Sequence, residues 1–92
     1  MKYEIRLTKR AKKRLDKYGK DTQDRINHTF RNLIAHYSGE NVPPPDLKVL
    51  QGKYNGLLRL RVGDLRVIFR MEADSMVILV IDIVPRGSAY KD

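Results

Sequence analysis

The sequence predicts an α+β domain: an N-terminal strand, an antiparallel helical hairpin, then a three-stranded antiparallel meander, in the order β-α-α-β-β-β. Three observations carry this. Apolar residues alternate at the N-terminus, recur with helical spacing up to Tyr37, and return to strand-like runs after residue 57. Gly63-Asp64 supplies a two-residue hairpin turn between two of those runs. On one side of the strands flanking that turn every facing pair is apolar, so the helices should pack on that face.

The first strand is residues 2–7, where Tyr3, Ile5 and Leu7 alternate with Lys2, Glu4 and Arg6. Thr8 then stands where a helix N-cap belongs, ahead of a run of good helix formers. In that run Ala11, Leu15 and Tyr18 make a narrow apolar stripe on a very basic helix, and Gly19 is the expected stop. Asp21 or Thr22 should cap a second helix. Its apolar positions Ile26, Phe30, Leu33, Ile34 and Tyr37 are the clearest periodic signal in the chain. Ser38-Gly39 ends that helix, and residues 38–46 form a connector stiffened by Pro43-Pro44-Pro45. A connector this short predicts one domain over residues 1–92.

Leu57–Val62, Leu65–Met71 and Met76–Val84 read as strands, the last two joined by a turn at Glu72–Ser75. With Gly63-Asp64 as the loop, Val62 faces Leu65, Leu60 faces Val67 and Leu58 faces Phe69. Every pair on that side is apolar, and a slip of one residue would destroy the agreement. The other face then sets Arg61 directly across from Arg66, with Arg59 and Arg70 beside them. Like charges opposed in a sheet are destabilising, and a local rule broken without structural gain points to function. Arginine's fixed fork of donors suits phosphate oxygens. Val77, Leu79 and Ile81 project to this same side, so the arginine face should be a partly sheltered groove. Pro85 stops the last strand and sends residues 86–90 across or beside it.

Composition narrows the function. The chain has 19 Lys and Arg, 11 Asp and Glu, and a net charge of +8, which favours a polyanion or an acidic protein as partner. There is no cysteine, hence no thiol nucleophile, disulfide or thiolate metal site. Metal-ligand spacing, a Walker loop and a serine triad are not visible, and the acidic residues are scattered, so a two-metal nuclease is not expected. His28 and His36 fall off the apolar stripe of their helix and read as surface residues. No secretory or membrane-spanning run is seen, which predicts a soluble cytoplasmic protein.

The stretch Leu58-Arg59-Leu60-Arg61-Val62-Gly63-Asp64-Leu65-Arg66-Val67-Ile68-Phe69 resembles the central hairpin of the RelE/ParE toxin superfamily. Leu47 to Gly52 is similar to the turn that precedes it, and Val84-Pro85-Arg86-Gly87-Ser88-Ala89-Tyr90-Lys91 to the family's closing His-Arg-x-x-x-Tyr. The resemblance runs through the whole chain. It implies the toxin of a type II toxin–antitoxin pair, a ribosome-dependent endoribonuclease that cuts mRNA in the ribosomal A site beside 16S rRNA and is neutralised by a cognate antitoxin. It implies no metal and no cofactor. By position it gives catalytic roles to Arg61, Arg66, Arg86 and Tyr90, and RNA-binding roles to Arg59, Lys48, Lys53 and Arg70. Arginine does not readily lose a proton, so Tyr90 is the expected base among these. Two departures stand out: arginines occupy positions where lysines are usual, and Pro85 replaces the histidine before the closing arginine. The same superfamily offers two other readings, a ParE-like inhibitor of DNA gyrase and an inactive module that only binds an antitoxin.

Overall fold

The computed structural model describes residues 2–88 and Tyr90. The elements are β1 (Glu4–Leu7), α1 (Lys9–Asp16), α2 (Lys20–Tyr37), β2 (Leu47–Val49), β3 (Leu58–Val62), β4 (Leu65–Glu72) and β5 (Val77–Pro85), with short 3-10 turns at Gly52–Tyr54 and Ala73–Ser75. The strands form one mixed sheet in the order β1-β5-β4-β3-β2. The predicted α+β architecture is therefore present, with one strand more than the sequence reading gave. That strand, β2, pairs antiparallel with β3 over only three residues, too few for alternation to register. β1 is an edge strand parallel to β5, while β3, β4 and β5 run antiparallel.

Local chemistry explains the element ends. Thr8 is the N-cap of α1, its hydroxyl accepting from the Ala11 N–H at 3.2 Å. Gly19 corrects the expected pattern. It is not a left-handed stop for α1 but the extended N-cap of α2, so neither Asp21 nor Thr22 takes that place. The Gln23 side chain also ties the end of α1 to α2, its amide donating to Leu15 O at 3.1 Å and Tyr18 O at 2.9 Å. At the other end of α2, Ser38 is the C-cap and Gly39 follows at φ 86°.

The β3–β4 register is the one the sequence dictates: Val62 pairs with Leu65, Leu60 with Val67, Leu58 with Phe69, and Arg61 with Arg66. Gly63 takes φ 58°, the conformation the turn requires. Leu60, Val62, Val67, Phe69, Ile78, Val80 and Ile83 of the sheet meet Ala11, Ile26, Phe30 and Leu33 of the helices in the main core. At about 25 cal/mol per Å² of apolar surface removed from water, this is the dominant stabilising layer.

A second, smaller apolar cluster lies on the far face of the sheet. Leu50, Ile68 and Val84 are buried there, covered by Tyr54, Leu57, Ile81 and Tyr90. Its cover comes from the chain itself. The segment 50–57 closes on a Leu50 N–H bond to Leu57 O of 3.0 Å, and Tyr90 folds back from beyond β5. No described helix is long and apolar enough to cross a membrane.

Candidate functional site

The far face carries the charged residues in rows fixed by strand pairing. Lys48, Arg59, Ile68 and Asp82 form one cross-strand row, and Arg61, Arg66 and Val84 form the next, toward the Gly63-Asp64 turn. Directly paired residues point to the same side of a sheet, so Arg61 and Arg66 share the face that holds Tyr54 and Tyr90.

Arg61 is exposed, and no carboxylate pairs with it among the described residues. Arg66 is half-buried, and its guanidinium donates to Gly63 O at 3.3 Å and Leu65 O at 3.1 Å. Those acceptors are neutral carbonyls, so its charge is not cancelled. Arg86 follows β5 in a turn, its backbone N–H donating to Asp64 O at 2.8 Å and its side chain exposed. Three arginines therefore gather at one end of the sheet. Tyr90 packs on the Leu50–Ile68–Val84 cluster next to the Arg66 row. Its ring contacts Tyr54 at 4.7 Å between centroids, tilted by 44°. Lys53 sits 5.3 Å above the other ring of that pair.

Two of the predicted contacts are paired with carboxylates of the protein itself. Arg59 is only 7% exposed, and its guanidinium binds the Asp46 carboxylate at 3.0 Å and the Asp46 carbonyl at 3.3 Å. It braces β3 against the end of the 38–46 connector instead of reaching outward. Arg70 is four residues beyond Arg66 on β4, about 13 Å along the strand, and pairs with Glu72 at 3.1 Å. Lys48 remains exposed on the edge strand β2.

The structure also brings in residues the sequence reading did not single out. A β-bulge between β4 and β5 matches Ile68 with Asp82 but Phe69 with Val80, leaving Ile81 as the extra residue. Strict alternation would have aimed Asp82 at the helices. The bulge instead places it on the far face, 2% exposed. Arg14 of α1 meets it at 3.1 Å and Arg10 lies 3.9 Å away. Helix α1 can reach it because β1 pairs with β5 only as far as Val80, and α1 lies along β5 beyond that point. Arg10, Arg14, Tyr54, Asp82, Ser88 and Tyr90 line a cavity of about 420 Å³. The readable signal was the lone carboxylate in the apolar run 76–84.

Burial, and after it the charge of Asp82, pushes the Tyr90 phenol above its ordinary value of 10.0, against a lowering pull from Arg10. At neutral pH Tyr90 keeps its proton, and it shares the lining of this cavity with Asp82. The site can thus offer several uncancelled cationic donors, an aromatic pair and a protonated phenol.

Comparison with known proteins bears on the family and the fold. A family model described as the ParE toxin of type II toxin–antitoxin systems, parDE, matches residues 5–90. A chain of the archaeal RelE–RelB complex from Pyrococcus horikoshii OT3 is 30% identical, with a TM-score of 0.71, covering 97% of this chain and 100% of that one. A chain of the RelBE2 toxin–antitoxin complex from Mycobacterium tuberculosis has a TM-score of 0.77 at 17% identity, covering 94% and 100%. A YoeB/ParE toxin from Agrobacterium tumefaciens has a TM-score of 0.71 at 16% identity, covering 90% and 98%. No curated protein sequence matches at a significant level.

Proposed function

The chain belongs to the ParE toxin family of type II toxin–antitoxin systems, within the RelE/ParE superfamily, and from that membership we propose that it is a ribosome-dependent endoribonuclease acting on mRNA. The observation that carries this reading is the opposed pair Arg61 and Arg66. A surface that only had to be soluble would not place two like charges across a ladder without a carboxylate between them. A phosphate bound there removes the conflict.

In this reading the RNA 2′-hydroxyl attacks the adjacent phosphate, the bond to the 5′ oxygen breaks, and the products are a 2′,3′-cyclic phosphate and a 5′-hydroxyl. Arg61, Arg66 and Arg86 stabilise the charge that grows on the phosphorane oxygens. Lys48 and Lys53 steer the strand toward the groove as screened, exposed charges. Tyr54 and Tyr90 offer ring faces on which a base stacks. Tyr90 is assigned as proton donor to the leaving oxygen, the reverse of the base role expected from sequence, because its environment holds the proton on. Arg59 supports β3 and Arg70 lies off the site. The partner that restrains the activity is a cognate antitoxin, in keeping with the toxin–antitoxin complexes among the structural relatives; the charge of the groove calls for an acidic or amphipathic segment laid over it or over the helices.

The family match to ParE toxins favours one competing reading, inhibition of DNA gyrase without RNA cleavage. Controlled expression followed by mapping of mRNA 5′ ends and a supercoiling assay separates them. Codon-phased cuts that vanish with Arg66→Ala support the nuclease. Intact mRNA with blocked supercoiling overturns it.

A further inference from the structure

We propose that Asp82 is a positioning residue that fixes Tyr90 in the site and couples helix α1 to it through Arg10 and Arg14. This rests on the reading of the far face as an RNA-cleaving surface.

The case begins with where the carboxylate is. Asp82 is the one charged residue in the apolar strand Val77–Pro85, and it is 2% exposed. Burying a carboxylate is costly unless it has several partners. It has them: one oxygen accepts from the Ile83 N–H at 2.9 Å and is ion-paired with Arg14 at 3.1 Å, and the other faces Arg10 at 3.9 Å. The β5 bulge that turns it to this face is a local irregularity with no gain for the main core, whose strand residues simply resume at Ile83. Bulges of this kind re-aim side chains next to functional sites.

Asp82 also does more than balance one arginine. Two arginines from α1 converge on it, and Tyr90 shares with all three the wall of an open cavity. Tyr90 then has neighbours on two sides: Tyr54 against its ring, with Lys53 beyond, and Asp82 and Arg10 beside it in the cavity wall. Asp82 and Arg10 pull the phenol's proton affinity in opposite directions. Removing either one has a sign that a general loss of packing does not mimic.

The test uses the free chain. Alkaline spectrophotometric titration of the tyrosines, with Tyr90→Phe subtracted, reads the Tyr90 midpoint. Asp82→Asn is expected to lower that midpoint and Arg10→Gln to raise it. Arg10 is two-thirds exposed (67%), so Arg10→Gln keeps the test usable if Asp82→Asn does not fold. On programmed ribosomes, Asp82→Asn should lower kcat roughly tenfold or more with KM little changed. In a Tyr90→Phe background it should add nothing further. A Tyr90 midpoint that both variants leave unmoved, or shift in the same direction, overturns the proposal. So does an equal loss of kcat from Asp82→Asn with and without Tyr90. The titration needs no RNA, so it decides the role of Asp82 even if the chain proves not to be a nuclease.

Discussion

Replacing Arg61 with glutamine should make the protein more stable and less active at once. Arg61 stands directly across from Arg66 in the β3–β4 ladder, where facing Cβ atoms are about 4.5–5.5 Å apart and an unfavourable pair is worth roughly 0.2–1 kcal/mol. The Arg61 side chain is exposed, so solvent screening keeps the gain toward the lower end of that range. Glutamine keeps the length and polarity of the side chain and removes only the charge. For a domain of this size, a gain of a few tenths of a kcal/mol raises the melting midpoint by about 1–3 °C. The gain should fade in about 1 M salt, where the Debye length falls to about 3 Å. Cleavage should fall about 100-fold or more, the usual cost of losing one donor to a developing oxyanion. Scanning calorimetry at low and high salt, paired with a ribosome-programmed cleavage assay, reads both effects. A mutant destabilised by more than about 1 kcal/mol, or one that cleaves as well as wild type, would refute the idea that this opposition is tolerated for function.

Further outcomes follow from the same geometry. Arg70→Ala should leave cleavage within about twofold of wild type and stability within about 0.5 kcal/mol, since its partner is Glu72 and it lies beyond the site. Gly63→Ala should cost about 1–2 kcal/mol in urea denaturation, because φ is 58° and an added Cβ would sit 2.8 Å from the Arg25 guanidinium, a flexible tip that can swing away. Tyr37 is raised above 10.0 by burial and then by Tyr3. The unfolded chain therefore releases that proton first as pH rises. Stability should hold below pH 10.0 and fall above it, and Tyr37→Phe should lessen the alkaline loss in denaturation series.

What could be read in advance depended on how local the information was. The β3–β4 register was legible because Gly63-Asp64 fixes the turn and the apolar pairs allow one alignment. The Thr8 cap and the α2 stripe were legible for the same reason. β2 was not, because three residues cannot display a period. Gly19 misled because a glycine between two helices suits the end of one and the start of the next equally well. Arg59 looked like its neighbour Arg61 in sequence, and only the fold of the connector, which brings in Asp46, separates a buried brace from an exposed cation. Asp82 was hidden by alternation itself. The bulge at Ile81 shifts the phase of β5, and a phase shift of one residue cannot be seen in a run that is apolar on both faces.

The arginine face of this sheet is proposed to cut RNA. The direct measurement is end analysis of a defined mRNA incubated with the purified chain and programmed ribosomes. The account predicts a single cut that needs the ribosome and leaves a 2′,3′-cyclic phosphate and a 5′-hydroxyl. Full-length message after complete A-site occupancy, with gyrase supercoiling inhibited by the same preparation, would contradict it.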